Sequence, residues 1–209
     1  MNNQEIVQSY TRSLSANPAR PGAASHWGSE RAQRARLLAI YRHLTDARPL
    51  GNWGFVWPPK TVLDVGCGDG IFVDYVRQFG VASYEGWDCT PAMVEAARRR
   101  EPKWTFVVQD FMYASDTKTG VYDYVIASGV FGERSWEYML TAIDVLWALA
   151  RRAVAFNFLT TWGDCDAAPG EFQADPVRVL RACPTRRVLL DTSYLGPYDA
   201  TVVIFKDPV

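Results

Sequence analysis

The chain has no surplus of either charge. Its 22 Lys plus Arg and 23 Asp plus Glu leave a net charge of −1, and the densest basic run, Arg98-Arg99-Arg100, is too short to follow a phosphate backbone. Nucleic acid is therefore disfavoured as the main partner. No apolar stretch approaches the ~20 residues that span a bilayer. The start, Met1-Asn2-Asn3-Gln4-Glu5, has neither the basic opening nor the apolar run of a signal peptide. Histidine is scarce, with His26 and His43 alone, and neither stands with cysteine at metal-ligand spacing. Cys67, Cys89, Cys165 and Cys183 form no C-x-x-C pair, so they read as reduced thiols of a cytoplasmic protein. No repeat or low-complexity tract is present.

What remains is enough for one domain, residues 1–209, with a real core: 209 residues, 48% of them hydrophobic. Gly and Pro gather in Pro49-Leu50-Gly51-Asn52-Trp53-Gly54 and Trp57-Pro58-Pro59, which makes that stretch a loop. It divides an N-terminal helical cap, 1–48, from a body, 60–206. The cap holds Ile6, Val7, Tyr10 and Leu14 at helical spacing. After a break over 17–28, Ser29 caps a second helix reaching about Leu44.

The body alternates. Strands are expected at Thr61–Val65, Tyr84–Asp88, Trp104–Asp110, Tyr122–Ser128, Ala153–Leu159, Val188–Leu190 and Thr201–Phe205. Helices are expected at Ile71–Phe79, after Thr90-Pro91 to about Arg100, from Ser135 to about Ala150, and from Asp175-Pro176 to Cys183. Strands separated by helices imply a parallel sheet covered on both faces. The last two strands have no helix between them and should pair antiparallel. The result is a doubly wound α/β fold, mostly parallel, whose ligands belong beyond the carboxyl ends of the strands.

The strongest motif is Val62-Leu63-Asp64-Val65-Gly66-Cys67-Gly68-Asp69-Gly70, a strand running through three glycines into a helix. Its G-x-G-x-G spacing is not the G-x-G-x-x-G of the dinucleotide fingerprint. Asp64 and Asp69 would oppose a pyrophosphate and suit a ligand carrying positive charge. Asp88 ends the next strand, where a carboxylate can accept from both ribose hydroxyls. It could instead cap the following helix, but Thr90 is better placed for that. Asp110 ends the third strand and can accept from an adenine amino group.

The segments VLDVGCGDG, GWDCTPAMVEAA, VVQDF and YDYVIASGVF, in this order, resemble the Rossmann-like, class I S-adenosylmethionine-dependent methyltransferases from about Lys60 to Lys206. The resemblance implies a seven-stranded sheet with an antiparallel last strand. It places Asp64, Gly66, Cys67 and Gly68 around the methionine part of S-adenosylmethionine, and Asp88, with Cys89 beside it, at the ribose. Met93 packs on adenine, Asp110 and Phe111 read its edge, and Ser128 faces the cofactor or the acceptor. Trp27-Gly28-Ser29 with Gln33 and Arg36, and the strand Ala155–Leu159, are similar to a group of small bacterial methyltransferases. That similarity implies Arg36 opposite the methionine carboxylate; Arg36 as a solvated helix charge is the alternative.

Ser128-Gly129-Val130-Phe131 replaces the Asn/Asp-Pro-Pro-Tyr motif of enzymes that methylate amino groups of nucleobases or glutamine. No carboxylate cluster follows that strand, so no metal is expected. A small-molecule acceptor is the leading expectation. An RNA or protein acceptor, and a catalytically silent binding domain, are the alternatives. Tyr10, Trp27, Phe131 and Trp162 are the candidate acceptor-binding residues. Asn157 interrupts an apolar strand and reads as a satisfied core amide.

Overall fold

The computed structural model describes residues 3–16, 29–45, 61–79, 81–114, 119–132, 134–163 and 170–206. The expected break over 17–28 and the loop over 49–60 lie outside them. Two helices come first, α1 (Asn3–Ala16) and α2 (Glu30–Thr45), with Ser29 Oγ accepting from Ala32 N at 3.1 Å as the capping residue. The remaining elements are β1 (Thr61–Val65), α3 (Val73–Val76), β2 (Ser83–Asp88), α4 (Pro91–Arg100), β3 (Thr105–Val108), β4 (Tyr122–Ala127), α5 (Trp136–Leu149), β5 (Ala150–Thr160), β6 (Gln173–Ala174), α6 (Pro176–Ala182), β7 (Val188–Asp191) and β8 (Asp199–Phe205).

Among the described residues these strands form one eight-stranded sheet in the order β3-β2-β1-β4-β5-β8-β7, with β6 added beside the end of β5. β8 alone runs against its neighbours, pairing antiparallel with both β5 and β7. The short loop after β7 forces that reversal. The chain leaves β1 first toward β2 and later returns to its other side at β4, so the order switches at β1.

Alternate residues of each strand face opposite layers. Leu63, Val125, Val154 and Phe156 pack under α5, where Met139, Ile143 and Leu146 are fully buried. Val62, Tyr124, Ile126 and Ala155 pack on the other face beneath α2, α3 and α4, against Leu37, Ile40, Val73 and Val94. The second helix of the expected cap is thus also a layer of the fold, since α2 lies over β5 and β8. No described helix is long and apolar enough to cross a membrane.

Four elements differ from expectation. The helix expected over Ile71–Phe79 is one α turn, Val73–Val76, continued by a 3-10 turn, Arg77–Phe79. Its β-branched and aromatic residues are poor helix formers. β3 stops at Val108, because Asp110 caps the 3-10 turn Phe111–Tyr113 by accepting from Met112 N. β5 begins at Ala150 and includes Arg151 and Arg152, whose guanidinium groups reach Asp123 at 3.2 and 3.5 Å. β6 has two residues, too few to show a period, and it raises the strand count from seven to eight.

Candidate active site

The turn after β1 is held by main chain. Gly66 N and Cys67 N both donate to Trp87 O, at 2.7 and 3.0 Å, which ties the turn to β2. Gly66 has a φ of +69°, and a Cβ there would lie 2.5 Å from Val130 Cγ1. Only glycine meets both conditions. Gly86 allows a similar approach on β2, where a Cβ would lie 2.7 Å from Phe106 and 2.9 Å from Cys67 Sγ.

Asp64 is the one carboxylate inside β1 and is buried. Burial pushes its pKa up to about 7; the Tyr84 hydroxyl, donating to Oδ2 at 2.5 Å, opposes this, and Asp88 and Asp69 add to it. Asp69 is raised by burial and opposed by Arg100, whose Nη1 stands 3.2 Å from Oδ2. Its Oδ1 is buried without a hydrogen-bond partner.

Asp88 does two jobs. Oδ2 accepts from Gly68 N at 3.0 Å and Oδ1 from Thr90 N at 2.8 Å. Thr90 was expected to cap α4, yet its side chain makes no capping bond. The aspartate two residues earlier binds the Thr90 N–H instead, as Asx turns do. Burial raises the Asp88 carboxyl, with the N–H groups of Thr90 and Gly68 opposing. Each oxygen keeps a lone pair for a ligand.

Above the strand ends lies a cavity of about 450 Å³, within the range of small-molecule sites. It extends across the ends of β3, β2, β1, β4, β5 and β8. All eleven residues expected at the cofactor line it: Arg36, Asp64, Gly66, Cys67, Gly68, Asp88, Cys89, Met93, Asp110, Phe111 and Ser128. Burial raises both thiols here, Cys67 well above its ordinary value. Tyr10 and Phe131 line the cavity as well. Trp162 is 48% exposed and is not on the wall. Trp27 lies outside the described residues.

Seven further residues of the wall were largely missed by sequence reading: Gln33, Arg134, Tyr138, Asn157, Glu171, Tyr198 and Asp199. Asn157 is a satisfied amide, donating to Ser128 Oγ at 2.9 Å and accepting from Gly129 N at 3.0 Å, but it also faces the cavity. Arg36 Nε donates to Asp199 Oδ2 at 2.5 Å, and Tyr194 donates to Asp199 Oδ1. Burial raises the Asp199 carboxyl and Arg36 opposes it. The missing signal was topological. In an antiparallel strand the first residue, not the last, faces the site, which is where Asp199 stands. His43 Nε2 is 2.6 Å from Asp191 Oδ2 and ties α2 to β7. Among the described residues, no group of three or more His, Cys, Asp or Glu can hold a metal ion.

Residues 62–152 match the family model described as a methyltransferase domain. A ribosomal protein L11 methyltransferase from Cupriavidus taiwanensis is 31% identical over 108 residues, 52% of this chain and 32% of that protein. A second, from Burkholderia thailandensis, is 36% identical over 35% of this chain and 24% of its own length. The chain thus spans a third or less of these curated relatives. Among solved structures, magnesium protoporphyrin IX methyltransferase (ChlM) from Synechocystis with bound SAM superposes with a TM-score of 0.67 at 20% identity, covering 99% of this chain and 98% of that one. N-methyltransferase NodS from Bradyrhizobium japonicum, in complex with S-adenosylhomocysteine, has a TM-score of 0.62 at 16% identity, covering 84% and 87%. These structures share the fold.

Proposed function

We propose that this chain, whose residues 62–152 match the methyltransferase-domain family model, is a class I S-adenosylmethionine-dependent methyltransferase, that its cavity binds S-adenosylmethionine and that it transfers the methyl group to a small-molecule acceptor. The observation that carries this reading is the pair Asp64 and Asp88 beside a glycine turn whose backbone is closed to any larger residue. The donor set fits the cofactor. Carboxylates suit an ammonium, a sulfonium and ribose hydroxyls, and they oppose a pyrophosphate.

When bound, S-adenosylmethionine supplies a methyl group activated by its positive sulfur. Asp88 accepts from the ribose hydroxyls, and the Asp64 carboxylate faces the positive charge. Met93 and Phe111 wall the adenine, beside Asp110. Ser128 is held by Asn157 at the middle of the cavity, where it can donate to an acceptor. Methyl transfer asks mainly for orientation and exclusion of water. The apolar walls of Val130, Phe131 and Leu159 serve the second need. Residues 1–48 and 60–206 act as one unit, since α2 supplies both a sheet layer and a cavity wall. The free thiols Cys67, Cys89 and Cys183 favour a reducing, cytoplasmic setting.

A protein acceptor is the second reading, favoured by the names of the curated relatives. One experiment separates the two. Protein incubated with methyl-labelled cofactor is offered a metabolite extract or a ribosomal protein fraction. Label in a small molecule is expected; label only in protein supports the second reading. Binding of NAD with no binding of S-adenosylhomocysteine overturns both.

A further inference from the structure

Asn157 is 2% exposed and Ser128 7%, and both line the cavity. Ala127 registers with Phe156, so the residue after β4, Ser128, comes beside Asn157. Alternation puts both on the sheet face that carries Ile126 and Ala155. Asp64, which registers with Ile126, shares that face one strand away.

Every hydrogen bond of the pair has a fixed direction. Gly129 N is a main-chain N–H and can only donate, so the atom it meets at 3.0 Å is the carboxamide oxygen, Asn157 Oδ1. The amide's other end, Nδ2, can only donate in turn, and it meets Ser128 Oγ at 2.9 Å. Ser128 therefore accepts from Asn157 and keeps its own proton for another partner. Among the described residues no group takes that proton. The hydroxyl of Thr201, which registers with Asn157, donates to Tyr194. A hydroxyl buried this deeply calls for an acceptor, and the cavity that it lines is where one can come from.

A ligand group against Ser128 must offer lone pairs. An ammonium has none, and an amine attacking a methyl group has committed its only one. An oxygen without a proton has lone pairs to spare, and an anionic one accepts most strongly. Resting on the methyltransferase reading, we propose that Asn157 is a positioning residue that holds Ser128 as a one-way hydrogen-bond donor, and that the ligand atom Ser128 meets is a carboxylate oxygen. Two groups can supply it, the amino-acid carboxylate of the cofactor and a carboxylate on the methyl acceptor.

An isosteric change reverses the polarity. In Asn157→Asp one carboxyl oxygen still accepts from Gly129 N. Ionised, the other oxygen takes the Ser128 proton and turns the hydroxyl's lone pairs on the ligand; protonated, it donates to Ser128 as the amide does. Wild type, Ser128→Ala and Asn157→Asp are compared between about pH 5.5 and 8.5, a range wide enough to titrate a buried carboxyl. The readings are calorimetry with S-adenosylhomocysteine and with 5′-methylthioadenosine (which lacks the amino-acid part), and label transfer from methyl-labelled cofactor to the metabolite extract. Ser128→Ala should lower one reading about tenfold or more, the scale of a charge-assisted hydrogen bond. Weaker S-adenosylhomocysteine with unchanged 5′-methylthioadenosine assigns the oxygen to the cofactor. Unchanged S-adenosylhomocysteine with slower label transfer assigns it to the acceptor.

Asn157→Asp should match wild type at the acid end and Ser128→Ala at the alkaline end. Asp64 and Cys67 at the end of β1, Asp199 and Tyr194 at the start of β8, and Arg36 on α2 are the ionisable groups on the elements around the pair. They are present in the wild type too, so the ratio of variant to wild type isolates the new carboxyl. In the double variant Ser128→Ala, Asn157→Asp there is no proton to capture, and the ratio should be flat. The proposal is overturned if Ser128→Ala leaves S-adenosylhomocysteine affinity and label transfer within about twofold of wild type. It is also overturned if that variant weakens both calorimetric ligands alike, or if the pH dependence persists in full in the double variant. Where the wild type labels nothing, S-adenosylhomocysteine affinity alone decides. Wild-type protein that binds no S-adenosylhomocysteine sinks the methyltransferase reading, and the proposal with it.

Discussion

On the side of β1, β2 and β3 the turn in the cavity wall is tied down by main-chain donors: Gly66 N and Cys67 N donate to Trp87 O, and Gly68 N donates to Asp88 Oδ2. On the side of β4, β5 and β8 it is shaped by side chains bonded to side chains, Asn157 to Ser128 and Arg36 to Asp199. Backbone geometry tolerates few substitutions and suits a ligand that never changes. A side-chain network can be rebuilt residue by residue and suits a ligand that differs between enzymes. Fixed and variable recognition thus meet in one cavity, with Ser128 between them.

The comparison breaks most sharply at Gly66. Gly66→Ala places a Cβ in the left-handed region and 2.5 Å from Val130. We expect a loss of about 2–4 kcal/mol of stability, read as a fall in melting temperature, together with loss of S-adenosylhomocysteine binding. Normal melting and normal affinity would mean that the turn is not held by its backbone.

Asp88→Ala should weaken S-adenosylhomocysteine by about 1.5–3 kcal/mol, the scale of hydrogen bonds to a charged group. Melting should fall as well, because Gly68 N and Thr90 N lose their acceptor. Unchanged affinity in the folded variant removes Asp88 from the cofactor half.

A pH series sharpens the electrostatics. Asp64 has a folded pKa of about 7 against an ordinary 3.8. Between those values the folded protein keeps a proton that the unfolded chain has lost, so this group's contribution to stability declines as pH rises. A positive ligand selects the ionised form. S-adenosylmethionine affinity should therefore rise by up to about tenfold per pH unit below 7 and level off above it. Asp64→Asn should flatten the profile. A flat profile in the wild type would separate Asp64 from the ligand's charge.

The smallest effect is expected at Trp162, half-exposed and off the wall. Trp162→Ala should change stability by less than about 0.5 kcal/mol and leave S-adenosylhomocysteine affinity unaltered. A large loss of either would place the ring against the ligand or the core.

The β1 to β3 side of the cavity was legible in the amino-acid sequence because its signals are local. Three glycines after an apolar run, and carboxylates at consecutive strand ends, carry their meaning within a few residues. The β4, β5 and β8 side was not, because its contacts are distant in sequence. Arg36 meets Asp199, and Asn157 meets Ser128; no window along the chain contains either pair. Asn157 shows the limit well. A polar residue in an apolar strand was readable as satisfied, but not as facing a cavity, since that depends on which end of β5 carries it. Thr90 shows another. Both Asp88 and Thr90 could cap α4, and only the fold decides between them.

The reversed direction of β8 gives the chain a separable tuning element. β1 to β5 reach the cavity with their ends, so altering the loop that follows one of them also disturbs the approach to the next element. β8 reaches it with its beginning, and the turn before it, residues 192–198, joins only β7 and β8 at the sheet's margin. From this turn Tyr194 donates to Asp199 and Tyr198 lines the β8 side of the cavity. Lengthening or exchanging it would remodel one end of the cavity while the glycine turn, four strands in from that margin, keeps its shape. Descendants of such a chain can acquire new acceptors by editing one hairpin.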